Sequence, residues 1–258
     1  MKYLKYKCLL AIILGCSLSG CFDLTEEVFD RVDSGVYYQD ENSVKSAVAT
    51  IYSTGATSYA EYFWYMQEFP ADQVTWRVWN GGQWGYDEGE KFIFSIQNWT
   101  PDAKIIRSAW ENAWTTIGLC NTLLADMGKL TSADLKMTDE KLKAYEGEVR
   151  TLRAWAYYNI FEIWGGALPL NIEPATVDGE LPPTADPDFD TCCKKIYNFI
   201  ATELDDCYEG MVENQVNRMN KAVNRMIKAR LLLNAEVFIK ESPVSYTHLR
   251  AHETKANL

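Results

Sequence analysis

Between Gly147 and Leu170 the chain reads GEVRTLRAWAYYNIFEIWGGALPL, and this stretch limits the fold more than any other. Val149, Leu152, Ala156, Ile160 and Ile163 recur at three- and four-residue spacing, the period that stacks side chains on one face of an α-helix. Glu148, Arg150 and Arg153 sit beside that apolar stripe. Gly165 and Gly166 then stop the pattern ahead of Pro169, because glycine tolerates the left-handed backbone that closes a helix and proline cannot prolong one. By itself the segment reads as an aromatic-rich core helix with a glycine C-cap.

The same period recurs along the chain. Asn42 or Ser43 can cap a first helix running through Ile51 and Tyr52. Residues 104–127 form a second, with Ile106, Trp110, Trp114, Ile117 and Leu124 on one side. Residues 139–164, 188–211 and 221–240 give three more. Few segments alternate with period two, so an all-α chain is expected. Trp114, Ile117 and Gly118 match the W-x2-L-G opening of a tetratricopeptide repeat, with Asn121 where Tyr is usual, and Trp and Gly would let neighbouring helices pack closely. Residues 167–187 hold five of the 8 prolines and read as an extended crossover between helix pairs.

Taken together, Glu148, Arg150, Leu152, Arg153, Ala154, Tyr157, Trp164, Gly165, Gly166, Pro169 and Leu170 match a signature of the form E-x-R-x-L-R-A-x-x-Y-x-x-L-x-x-x-[WY]-G-G-x-P-L. The chain thereby resembles the SusD/RagB family of nutrient-binding outer-membrane lipoproteins, with Ile160 in place of the usual Leu. A second family helix pattern is met in part by Lys221, Ala222, Ala229, Arg230 and Leu231. The resemblance implies tetratricopeptide-like helix pairs in a right-handed superhelical scaffold with long irregular loops. It also implies a binding protein without catalytic residues or cofactor.

The amino terminus agrees. Lys2, Lys5 and Lys7 precede an apolar run at residues 8–19, and Leu18-Ser19-Gly20-Cys21 forms a small-residue cleavage site. A bilayer span takes about 20 apolar residues, so this run is too short to stay as a transmembrane helix. Residues 1–20 are therefore expected to be removed, and the sequence resembles a lipobox in which Cys21 is acylated and anchors the protein to the outer membrane. Several acyl chains, each buried CH2 contributing about 0.8 kcal/mol, hold a protein on a membrane where one chain does not.

The 25 Lys+Arg and 36 Asp+Glu give a net charge of −11. Losing the three signal lysines leaves 22 basic residues against the same 36 acidic ones, or −14. An acidic chain without a basic stripe repels phosphate backbones, so nucleic acid is not an expected partner. Beyond the signal and Cys21, the cysteines are Cys120, Cys192, Cys193 and Cys207. They lack Cys-x-x-Cys spacing, which argues against structural zinc, and Cys193 and Cys207 share a stripe with Ile196 and Ile200, as buried free thiols would.

Residues 242–258 (SPVSYTHLRAHETKANL) break the preceding helical pattern at Pro243 and are expected to be a non-native tail, leaving residues 21–241 as an incomplete helical region. Both histidines, His248 and His252, fall in that tail. Elsewhere no Ser/His/Asp or Cys/His triad can form.

Five of the 9 tryptophans lie between Tyr62 and Trp99, namely Trp64, Trp76, Trp79, Trp84 and Trp99, joined by Tyr62, Tyr65 and Tyr86. The run WRVWNGGQWGYDEGE shows neither helical nor alternating period, so some of its rings should face solvent or a ligand. Aromatic faces stack on the C–H surfaces of sugar rings while amides, carboxylates and guanidinium groups bond the hydroxyls. Asp72, Trp76, Arg77, Trp79, Asn80, Trp84 and Tyr86 are the candidate glycan contacts, with Gln83 and Asp87 beside them. A family motif, D-E-x(n)-R-G-x-D-W-x-D-G-G-x-W, stands here, placed through Asp72, Arg77, Trp79 and Trp84. Gln73 replaces its acid and the Asp-to-Arg spacing is shortened.

The function implied by the resemblance is capture of oligosaccharides or related nutrients at the cell surface and delivery to a TonB-dependent transporter. Two other classes compete. A secreted glycoside hydrolase would draw a carboxylate pair from Asp87, Glu88 and Glu90. A tetratricopeptide-like adaptor would bind only protein and show a clean 34-residue repeat.

Overall fold

The computed structural model describes residues 37–76, 89–174 and 184–241. Outside these lie the signal segment 1–20, Cys21, the tail 242–258 and the middle of the proline-rich crossover. The described residues are helical and hold no strand.

Helix α1, Glu41–Thr57, opens on a capping box. Asp40 accepts from the Ser43 N–H at 3.0 Å while the Ser43 hydroxyl accepts from the Asp40 N–H at 3.3 Å. The cap is thus Asp40 and not Asn42 or Ser43; Ser43 is its reciprocal partner one turn in. The helix passes into a π-helical stretch, Ser58–Phe63, and a short α2, Trp64–Glu68, so Tyr62, Trp64 and Tyr65 stand on helix where an irregular loop was expected. Helix α3, Glu90–Ser95, is equally short. These two are below the length at which a helix sustains itself and persist through tertiary packing of Phe69 and Phe94, 1% and 2% exposed.

Helices α4, Lys104–Met127, and α5, Asp139–Trp164, have the ends read from the sequence. Thr138 caps α5 by accepting from the Lys141 N–H, and Gly165 at φ 69° closes it. Helix α6, Phe189–Asp206, is capped by Asp188 and stops five residues before the expected Met211, giving way to a 3-10 turn at Tyr208–Gly210. Cys207 and Met211 still turn inward, which is why the apolar period outlasts the helix. The last expected helix is two. Helix α7, Lys221–Leu233, ends at Asn234, whose side chain bonds the Arg230 carbonyl, and α8, Ala235–Ile239, follows.

Contacts between α4 and α5 run in opposite numerical order, Trp110 to Trp164, Trp114 to Tyr157 and Asn121 to Arg153. The two helices are therefore antiparallel. So are α5 and α6, through Arg150 to Glu203, Tyr157 to Phe199 and Gly166 to Cys193. Consecutive antiparallel helices bury one core around Tyr157, Tyr158, Phe161, Ile196, Ile200 and Leu204, and a second between α1, α4 and α5 around Val48, Ile51, Leu123, Met127, Val149 and Leu152. Gly118 does not serve close packing, since a Cβ there would meet nothing within 4 Å. Gly166 does. Its Cβ would fall 2.8 Å from the Cys193 backbone nitrogen and 2.1 Å from the Cys193 sulfur, so the turn after α5 can seat the start of α6 only without a side chain.

Candidate functional site

The charged residues of the signature hold helices together, Glu148 and Arg153 from buried positions and Arg150 from a partly exposed one. Glu148, 1% exposed, accepts from the Tyr52 hydroxyl at 2.7 Å and from Arg218 Nε at 2.9 Å. Burial, and then that carboxylate, raises the Tyr52 phenol well above its ordinary range. The Arg218 guanidinium is held above its usual value first by the same hydrogen bond. The Met219 N–H donates to the Tyr52 hydroxyl, so α1 and the segment leading into α7 meet on one carboxylate.

One turn on, Arg153 donates through Nε to Glu203 at 2.9 Å, through Nη2 to the same carboxylate, and through Nη1 to the Asn121 carbonyl oxygen at 2.9 Å. Arg150 reaches Glu203 at 2.8 Å. Asn121 in turn donates to the carbonyls of Asn171 and Glu173, and Tyr157 bonds both the carbonyl and the N–H of Asn171. The chain after Gly165-Gly166 is thereby pinned to α4 and α5. Asn121, at the position where a tetratricopeptide repeat usually has Tyr, is a donor and acceptor in this network.

Of the candidate ligand contacts, Asp72 and Trp76 are placed. Asp72 is exposed on the turn after α2, in a left-handed conformation at φ 61°. Trp76 is half-buried, tilted against Phe69 with ring centroids 6.1 Å apart, beneath the Lys91 ammonium at 4.6 Å; its backbone N–H donates to Ser95. Arg77, Trp79, Asn80, Trp84 and Tyr86 lie outside the described residues, as do Gln83, Asp87 and Glu88. Glu90 is engaged structurally, accepting from the Lys104 N–H at the start of α4.

Trp64 and Trp99 are 39% and 42% exposed. Trp99 lines an open groove of about 400 Å³ between α2, α3 and the end of α5, with Phe94, Met66, Ile106 and Ile163 as apolar walls and Gln67, Pro70 and Glu162 at its polar side. The Trp99 indole stacks nearly parallel on Phe94, at 5.5 Å and 10°. Glu162 is held by Tyr158 at 3.0 Å, Gln67 at 3.2 Å and Arg230 at 3.1 Å. Burial, with Glu162 next in weight, raises the Tyr158 phenol to about 12. The sequence sets Trp99 in its aromatic segment but gives no reason to join it to Gln67 on α2 or to Glu162, which α5 brings from 63 residues away. Cys120, Cys192, Cys193 and Cys207 are free and buried, as the apolar stripe had indicated for Cys193 and Cys207. Among the described residues no cluster of metal-ligating side chains occurs.

No protein-family model and no curated protein matches the sequence. Solved structures do match. A laminarin-binding SusD-like protein superposes with a TM-score of 0.60 at 19% identity, over 77% of this chain and 41% of its own. A SusD superfamily protein from Bacteroides thetaiotaomicron gives 0.60 at 15%, over 78% and 46%.

The fold is that of the SusD-like proteins.

A surface glycan-binding protein A from Bacteroides fluxus also matches, with a TM-score of 0.54 at 19% identity, covering 76% of this chain and 40% of that one. The chain thus spans less than half the length of these matched structures. What it shares with them is the helical framework on which the signature residues are set.

Proposed function

We propose that the chain belongs to the SusD/RagB family and acts as a non-catalytic surface binding protein. It would be anchored to the outer membrane through Cys21, capture oligosaccharides and pass them to a TonB-dependent transporter. The observation that carries this reading is the SusD-like helical framework, joined to a signature whose charged members are all spent on scaffolding and to a neighbouring aromatic segment with indoles in solvent. The names of two matched structures, which describe laminarin binding and surface glycan binding, favour a carbohydrate ligand. Residues 72–86 are proposed as the first contact region, with Asp72, Trp76, Arg77, Trp79, Asn80, Trp84 and Tyr86 as contacts.

Two measurements test this. Calorimetric titration of the full chain with soluble hexasaccharides of glucose, mannose and xylose should give binding without cleavage of the sugar. Release of shorter products would replace this reading with the hydrolase one. Cys21→Ser should move the protein from the membrane fraction to the soluble one with its circular dichroism unchanged, and retention on the membrane would remove the anchor.

A further inference from the structure

We infer that the groove beneath Trp99 is a binding subsite for one or two pyranose rings of a neutral oligosaccharide, with Trp99 as the stacking platform and Gln67, held in place by Glu162, as the hydrogen-bonding group. The inference rests on the carbohydrate-binding reading and adds a site outside residues 72–86.

The argument begins with the indole. A tryptophan that served only the core would be covered, yet Trp99 is 42% exposed while Phe94 behind it is 2% exposed. The parallel Phe94 ring fixes the indole plane from one side, so the platform is rigid before any ligand arrives. At about 400 Å³ the groove falls within the range of small-ligand sites, which run from about 300 to 1,000 Å³.

Its polar side selects the ligand class. Gln67 presents its amide, oriented by the bond it donates to Glu162, while Glu162 is neutralised by Arg230 at 3.1 Å and its oxygens are occupied by Tyr158, Gln67 and Arg230. The groove therefore offers no unspent cation to an anionic ligand and no net charge to a cationic one. An oriented amide, with an acceptor and a remaining donor, beside a flat apolar ring suits a molecule with hydroxyls around an aliphatic C–H face, which is the make-up of a pyranose. Among the described residues there is no strand edge on which a peptide could pair.

The full chain is titrated with the glucose, mannose and xylose hexasaccharides, and the tightest is carried forward. Trp99→Ala should weaken that hexasaccharide by about tenfold, and Trp99→Phe, which keeps a ring on Phe94, should recover most of the loss. Gln67→Ala should weaken it by about threefold through one lost hydrogen bond. In the unsubstituted chain, the bound hexasaccharide should protect Trp99 from oxidation by N-bromosuccinimide, read by peptide mass, so the test survives a variant that folds poorly. Unchanged affinity in Trp99→Ala, or unprotected Trp99 under saturating sugar, overturns the subsite and leaves the carbohydrate-binding reading standing. No binding of any hexasaccharide by the unsubstituted chain overturns both.

Discussion

Around Arg153 charged groups lie inside the protein, and around Trp99 aromatic groups lie partly outside it, the reverse of what each residue type does by default. In the first region Arg153, Glu203 and Glu148 are at most 8% exposed and are answered by helices α1, α4 and α6 and the entry to α7. In the second, Trp64 and Trp99 keep about two-fifths of their surface in solvent. A buried ion is tolerated only when its partners are already in place, so the first region fixes one arrangement of helices. An exposed indole loses hydrophobic stabilisation that burial would have supplied, so the second region is kept for something other than stability.

The largest effect should come from breaking the first region. Glu203→Ala leaves Arg153 buried without its carboxylate and should cost about 3 to 5 kcal/mol, measured by urea denaturation. A cost below that of any Trp99 variant would dissolve the contrast.

Alkaline pH should come next. Burial raises the Tyr38, Tyr157 and Tyr158 phenols to about 12 and Tyr52 further. The unfolded chain releases these protons near pH 10 and the folded chain holds them. Stability should therefore be complete below about pH 10 and fall as pH rises toward 12, because the unfolded state then binds fewer protons. Melting temperatures across that window provide the check, and a flat profile would mean that the phenols are not sealed.

Gly166→Ala should cost about 1 to 3 kcal/mol, since the new methyl meets the Cys193 backbone and α6 must move. The smallest effect belongs to Trp99→Ala, about 1 kcal/mol from one aromatic stack, with the loss seen in sugar affinity instead. Thermal melts of both variants sharpen the comparison, and a Trp99→Ala protein as unstable as Gly166→Ala would return Trp99 to the core.

The parts of this fold that were legible in the sequence are those governed by local rules. Helices α4 and α5 were read to the residue because long apolar stripes run through both and Gly165 marks the end of α5. Where an apolar stripe continues past the helix, reading failed. Cys207 and Met211 kept the period while the backbone turned into a 3-10 loop, and Ala235 and Phe238 kept it across the break at Asn234. The partners of Glu148, Arg150 and Arg153 were beyond reach for a different reason. Arg218 is 70 residues from Glu148 and Glu203 is 50 from Arg153, and no periodicity encodes such a pairing. The Trp99 groove shares that obstacle, since Glu162 comes to it from another helix.

The bond from Met219 to Tyr52 spans 167 residues, and this bears on the order in which the chain can fold. Folding slows as native contacts become more distant in sequence, because loop closure must precede the contacts that reward it. During synthesis Glu148 emerges 70 residues before the guanidinium that neutralises it, so the early helices can assemble only with a carboxylate at their centre that has the Tyr52 hydroxyl but no counter-charge. The bond that ties the first helix to the entry to α7 can form only when Met219 arrives. On the proposal that residues 1–20 are an export signal, that delay keeps the chain open while it is transferred.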